Sequence, residues 1–333
     1  MVSGASVLTY GVASVVDRLG LLRPLSRAAG YVTRSFPVLS YHRVNDDGDV
    51  FLPALPTAVF ERQMAFVART YAVLTIEDLV ERMGRDELPA NALAITFDDG
   101  YRDNFTHAAP ILARYGLPAT VFVVSGLIGT SDAPWFDQVA VAFKKAGVTS
   151  YRAPWGERVT LESPGARVTA MDGLVAHLKT LPDDQMRQIV AELATTLEVA
   201  REETCKGWML TWDDVHALLG LGFSVGAHTV SHPILSRLSP ERAQAEIEGS
   251  RAMIKAGCGA LPRAFAYPNG RAEDYTDVVV QMVRDAGFTC ALTTRFGVNT
   301  ASTPLYELKR GTPWEHHVPT FGLKLAGYRF TEA

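Results

Sequence analysis

Two adjacent carboxylates, Asp98 and Asp99, end the apolar run Leu93-Ala94-Ile95-Thr96-Phe97 and are followed by Gly100. Apolar and β-branched residues bounded by a turn former read as a buried strand. Two carboxylates at the end of such a strand repel each other and are costly to desolvate together. A turn needs one Asp at most, whereas a metal site with a neighbouring base uses both. The alternative is a strand-end turn capping the next helix. A second apolar run, Ser224-Val225-Gly226-Ala227, leads into His228-Thr229-Val230-Ser231-His232. On a helical turn, side chains four residues apart share a face, so both imidazoles reach one cation. Two His and one Asp make a three-ligand set with coordination positions left open, the catalytic pattern for zinc-like ions.

A third element follows, Arg263-Ala264-Phe265-Ala266-Tyr267-Pro268-Asn269-Gly270. TFDDG, then H-T-x-x-H, then R-x-x-x-Y-P-x-G resembles the polysaccharide deacetylases, family four of the carbohydrate esterases, in that family's order. The resemblance implies a distorted β/α barrel of the polysaccharide deacetylase type. It implies a metal-dependent hydrolase that removes N-acetyl groups from a sugar. Asp99, His228 and His232 would hold one divalent metal ion, zinc by expectation, with cobalt or nickel as alternatives. Asp98 would be the general base, kept ionised by the cation. Arg263 would orient Asp98 through charge-assisted hydrogen bonds. The Tyr267 backbone N–H would help bind the oxyanion, as in family members.

The departing amine needs a proton. Many family members supply it from a histidine in an apolar-Leu-x-His-Asp segment near the C-terminus. Here Arg310-Gly311-Thr312-Pro313-Trp314-Glu315-His316-His317 lacks the apolar strand leading into a histidine. Pro37-Val38-Leu39-Ser40-Tyr41-His42 has one. It resembles the permuted arrangement in deacetylases of biofilm poly-N-acetylglucosamine, where the acid comes from an early strand. His42 is therefore the expected general acid, with His316 and His317 as its rivals, because an imidazole can be protonated near neutral pH.

Positioning these groups requires several strands whose ends converge. Apolar runs end at His42, Asp98, His228 and Tyr267, with helical stretches between them, an α/β pattern that argues for a parallel sheet with helical crossovers. In a β/α barrel the C-terminal strand ends form the active face. The rhythm breaks between about 126 and 206, which reads as a helical insertion on the active-site side. Its aromatics Trp135, Tyr151 and Trp155 are candidates for sugar stacking or core packing. The catalytic domain is expected to cover 35–333.

Residues 1–34 form a separate amphipathic segment. Leu8, Val12, Val15, Leu19 and Leu22 recur at helical spacing, and Arg18, Arg23, Arg27 and Arg34 outnumber the single acid Asp17. No basic residue precedes the apolar part, so a secretory signal is poorly supported. The segment either packs on the barrel or lies on a membrane surface. The expected location is cytoplasmic, with peripheral contact at the inner membrane through residues 1–34.

A net charge of −4 gives no basic footprint for nucleic acid. Cys205, Cys258 and Cys290 show no paired spacing and suggest no disulfide framework. The partner expected is an N-acetylated glycan, polymeric or lipid-linked. Two other readings are an amidase acting on a non-sugar amide and a catalytically silent carbohydrate-binding protein. The complete Asp98, Asp99, His228 and His232 set speaks against the last.

Overall fold

The computed structural model describes residues 4–199, 205–311 and 314–331. The chain opens with helices α1 (Gly4–Arg18) and α2 (Leu22–Thr33). The N-terminal seam is thus split between two helices, because Gly20 turns the chain at φ 70°. The Leu8 side chain lies outside the described residues. Next come β1 (Phe36–Tyr41), α3 (Thr57–Thr70), β2 (Ala72–Leu74), α4 (Ile76–Gly84), β3 (Ala92–Phe97), α5 (Ala109–Arg114) and β4 (Thr120–Val123). The insertion contributes α6 (Trp135–Lys144), a β5 (Ser150–Arg152) and β6 (Arg158–Thr160) hairpin, α7 (Pro164–Leu178) and α8 (Asp183–Thr196). The barrel resumes with α9 (Trp212–Gly220), β7 (Ser224–Ala227), α10 (Pro240–Cys258), β8 (Ala264–Ala266), α11 (Asp277–Asp285), β9 (Cys290–Leu292), β10 (Val298–Asn299) and α12 (Val318–Thr331).

Side-chain caps place several helix starts. Thr211 and Asp214 form a reciprocal capping box on α9. Ser239, followed by Pro240, caps α10, which ends at Gly259 in the left-handed conformation. Gly257, two residues earlier, lies under Trp212; a Cβ there would sit 2.3 Å from the indole. Ser163, followed by Pro164, caps α7.

The sheet order is β10-β1-β3-β4-β7-β8-β9, with β2 also paired to β3. All pairs except β10–β1 are parallel. The gap between β9 and β1 is bridged by residues 308–311, since Leu292 pairs with Leu308 and Leu39 with Gly311. The result is a distorted β/α barrel.

Strand side chains alternate between two cores. Leu93, Ile95, Phe97, Val121, Val225 and Phe265 face outward, where helices α3, α5, α9, α10 and α11 cover them. Phe36, Val38, Ala92, Ala94, Phe122, Ala264, Ala266 and Leu292 face inward, with Ile76 and Leu79 of α4 packed against them. The inward set is mostly small because Phe36 and Phe122 fill the interior. Counting on in twos from these inward positions puts His42, Asp98 and His228 on the same face. The insertion has its own core around Trp135, Phe143, Tyr151, Leu174 and Leu193.

Gly226 belongs to the inward face, and a Cβ on it would lie 2.3 Å from the Phe122 ring and 3.1 Å from the Ala264 carbonyl. Gly226→Ala should therefore cost about 1–3 kcal/mol by overpacking. A lower urea midpoint with an unchanged slope is the expected readout. An unchanged midpoint would show that the Phe122 ring yields at no cost.

Candidate active site

Asp98 and Asp99 leave the end of β3 in one turn, with Asp99 at φ 71° and Gly100 at φ 80°. The Asp98 N–H donates to the Tyr41 carbonyl at 3.0 Å, extending the β1–β3 pairing by one residue. That extension sets His42 beside Asp98, with Nε2 3.9 Å from Oδ2. The His42 ring is 40% exposed at the mouth of the site, whereas the two aspartates are buried.

His228 and His232 are not on a helix. They flank a loop in which Thr229 and His232 adopt φ 64° and 59°. A β-branched residue in the left-handed region is strained and persists only when its surroundings enforce it. Here Thr229 Oγ1 accepts from the His232 N–H at 3.0 Å. Glu246 of α10 accepts from the Val230 and Ser231 N–H groups and from Ser231 Oγ. Arg187 of the insertion donates to Ser231 Oγ, and the Phe136 ring packs on His232 at 5.1 Å.

The loop aims both imidazoles at Asp99. His228 Nε2 and His232 Nε2 lie 3.5 and 3.3 Å from Asp99 Oδ1. One ligand atom from each of the three residues falls within 4.8 Å of the others. The His228 Nδ1–H donates to the Ala266 carbonyl at 2.7 Å, which turns the bare Nε2 toward Asp99. Both Asp99 carboxylate oxygens and His232 Nδ1 are buried without a hydrogen-bond partner. Buried polar atoms are rarely left so. Orphaned oxygens facing two nitrogens fit a divalent cation, and the N,N,O donor set suits zinc, cobalt or nickel.

Arg310 was not expected in this site. It is 2% exposed and donates from Nη1 and Nη2 to the two Asp98 oxygens at 2.7 and 2.8 Å. Its Nε–H donates to the Thr293 carbonyl and its Nη1 also to Thr96 Oγ1. Burial raises the Asp98 pKa, but Arg310 and the two neighbouring histidines outweigh it and hold the carboxyl below its ordinary value. Asp99 is likewise held low, with His232 overcoming burial.

Arg263 does not orient Asp98. It sits at the start of β8, half-exposed, 3.9 Å from Glu81. Four residues of strand, about 13 Å, separate it from the Tyr267 end where the site lies. The Tyr267 N–H is not free for an oxyanion either, because it donates to the Leu292 carbonyl at 3.1 Å. The spare donor on that segment is Asn269 Nδ2, buried and unpartnered, on a residue at φ 58°. His317 is engaged elsewhere, with Ser14 and Thr320 as partners and its ring on Tyr10. His316 is exposed. Trp135 and Tyr151 are buried in the insertion core, and the Trp155 ring meets His177 at 5.2 Å, tilted by 59°.

The insertion reaches both strand ends through Asp137. This buried carboxylate accepts from Arg43, the residue after His42, and from the Tyr101 hydroxyl, two residues after Asp99. Burial raises the Asp137 pKa, while Arg43 and the Tyr101 hydroxyl oppose the rise.

Removing Arg310 leaves the Asp98 charge buried and unpaired. Arg310→Met should cost about 3–5 kcal/mol, and Asp98→Leu in the same chain should restore much of it. Urea unfolding of the four members of the cycle checks this; strictly additive losses would contradict a direct coupling. His228 adds a pH dependence. Burial lowers its pKa from 6.5 to about 4. Between those values the unfolded chain binds a proton that the folded chain does not, so His228 destabilises the fold as pH falls from about 6.5 to about 4. In metal-stripped protein the urea midpoint should drop across that window, and less so in His228→Gln. Identical profiles for the two would remove His228 as the cause.

A family model described as polysaccharide deacetylase matches residues 85–291. YxkH of Bacillus subtilis (strain 168), which carries a polysaccharide deacetylase name, is 21% identical over 276 residues, 82% of this chain and 70% of that protein. The poly-beta-1,6-N-acetyl-D-glucosamine N-deacetylase of Escherichia coli (strain K12) is 31% identical over 98 residues, 28% of this chain and 15% of that protein. The solved structure of Streptococcus pyogenes deacetylase PplD in complex with acetate gives a TM-score of 0.60 at 20% identity, over 88% of this chain and 98% of that one. His42 and Arg310 fall outside the span matched by the family model, while Asp98, Asp99, His228, His232 and the Tyr267 segment fall inside it. More than half of the sequence is covered by that model, and the chain belongs to the polysaccharide deacetylase family.

Proposed function

We propose that the protein is a metal-dependent N-deacetylase acting on an N-acetylated sugar within a polysaccharide or lipid-linked glycan. The observation that carries this reading is a carboxylate clamped by a buried arginine next to an Asp99–His228–His232 cluster with unsatisfied oxygens. A divalent ion held by those three residues, zinc with cobalt or nickel as alternatives, would acidify water and polarise the acetyl carbonyl.

The remaining steps belong to the side chains. Asp98 accepts a proton from the water that attacks the acetyl carbon, and Arg310 keeps it in the anionic form that can do so. A C–O bond forms, and the C–N bond breaks as the tetrahedral species collapses. His42 gives a proton to the departing amine, leaving acetate and a free amino sugar. His42 Nε2 lies 3.9 Å from Asp98 Oδ2, so the proposed acid and base stand side by side.

A sugar substrate is supported by a cavity of about 490 Å³ that is lined by Arg43, the residue after His42. Arg43, Asn45, Asp103, Lys144 of the insertion and Trp208 are among the residues that line it. Interleaved donors and acceptors beside an indole suit a hydroxyl-rich ligand better than a small apolar amide. The Escherichia coli relative is named for N-acetylglucosamine polymer, and this supports the same substrate class.

Metal content and acetate release from a panel of N-acetylated glycans test the proposal. Asp98→Asn should keep its metal and lose roughly 10²–10⁴ in rate. His42→Ala should also keep its metal and lose turnover, and the His228→Ala, His232→Ala double variant should lose both. Metal loss in Asp98→Asn with retention in Asp99→Asn would reverse the two aspartates' roles. Near-normal turnover in His42→Ala would move the acid elsewhere.

A further inference from the structure

Helices α1 and α2 leave an apolar surface uncovered. One face of α2, with Leu22, Ser26, Ala29 and Gly30, is buried, and α12 packs against both helices. One exposed flank presents Leu21, Leu25 and Val32 at helical spacing, Tyr31 points away from the buried face, and Arg23, Arg27 and Arg34 share the other flank; Tyr31 and Val32 are 78% and 75% exposed. On α1, Val12, Val15 and Leu19 form a second exposed stripe. Of seventeen exposed large apolar side chains among the described residues, eight lie between Tyr10 and Val32. Single exposed apolar residues are ordinary, but a concentration of this kind marks an interaction surface.

The charge around this surface is one-signed. Arg18, Arg23, Arg27 and Arg34 are exposed, and Asp17 is the only acid from residue 10 to residue 34. None of the four arginines has an ion-pair partner among the described residues. A second copy of the chain would be a poor occupant, because a two-fold contact would set these arginines against themselves with one aspartate per copy to offset them. An anionic lipid surface offers phosphates to the guanidinium groups and a hydrocarbon boundary to Leu, Val and Tyr. Arginine stems also reach along apolar surface to a headgroup layer. The α2 helix has 12 residues, about 18 Å, and among the described residues no helix is long and apolar enough to cross a membrane. The geometry therefore fits a helix pair lying on a bilayer, not one passing through it.

We infer that the exposed face of α1 and α2 is a docking surface for anionic lipid bilayers. It holds the barrel at the membrane by Leu21, Leu25, Tyr31 and Val32, with Arg23, Arg27 and Arg34 on the headgroups. This inference does not depend on the catalytic reading, and its test uses no activity.

Full-length protein is floated with phosphatidylcholine vesicles containing 30% phosphatidylglycerol and, separately, with phosphatidylcholine alone. Two surface variants are compared: Leu25→Glu with Val32→Glu, and Arg23→Gln, Arg27→Gln and Arg34→Gln together. Thermal melts confirm that both remain folded, as expected for exposed positions. The parent should float with the anionic vesicles, less so at high salt, and each variant's partition should fall by roughly a hundredfold. Failure of the parent to float, equal flotation of parent and variants, or equal flotation on neutral and anionic vesicles would overturn the inference. So would a dimer in sedimentation equilibrium without lipid that the same substitutions dissolve, because the occupant would then be a second copy.

Discussion

A buried guanidinium facing a buried carboxylate organises this molecule. Arg310 cannot discharge itself at any ordinary pH, so its burial is tolerable only while Asp98 is ionised and both oxygens are engaged. The two bonds at 2.7 and 2.8 Å meet that condition. Desolvation of such a pair costs several kcal/mol per ion, and the attraction between the ions roughly offsets it. The pair is therefore weak as a source of stability and strong as a constraint: Asp98 is an anion whether or not a cation occupies the neighbouring ligands. Asp99, one residue on, can then be given over to the two histidines, with the carboxylate–carboxylate repulsion divided between different partners.

That arrangement depends on backbone that would not adopt its conformation alone. Four of the seven non-glycine residues with positive φ among the described residues are Asp99, Thr229, His232 and Asn269, all at the strand ends around the site. Each such residue costs of order 1–3 kcal/mol. Glu246, Thr229 Oγ1 and Arg187 supply the hydrogen bonds that enforce the His228–His232 loop. The insertion takes part on both sides, through Arg187 and Phe136 at the histidine loop and Asp137 at Arg43 and Tyr101. It has its own core, and these contacts give it a role beyond that of a wall for the cavity beside Arg43.

The sequence was informative wherever one strand delivered its own chemistry. Asp98, Asp99, His228 and His232 follow apolar runs that form strands ending where the residues say, and period two then puts the inward-facing members on one face. His42 was legible for the same reason. Arg310 was not, because its partner is 212 residues away and the segment carrying it has no apolar run of its own. A lone arginine before glycine in an irregular stretch looks like a surface residue, and only the Leu308 and Gly311 pairings bring it inside. Arg263 failed in the opposite sense. Its motif is intact, but four residues of extended chain carry it to the far end of β8. The helical reading of His-x-x-x-His failed because spacing alone does not exclude a loop in which two left-handed residues bring the same side chains together.

The proposed base, its arginine and the proposed acid meet at one place in the sheet, and the topology explains why. The seam between β9 and β1 is where the barrel's first and last strands come together, and residues 308–311 fill it by pairing with both. Arg310 enters from that filler, next to β1, whose end carries His42. Asp98 ends β3, the strand on the other side of β1. The three side chains therefore come from neighbouring rows of one parallel ladder. An acid supplied from β1 stands one strand away from the carboxylate it works with, at 3.9 Å in the present geometry. Closing the barrel and charging the base are then a single structural event, because the segment that fills the seam also carries the guanidinium.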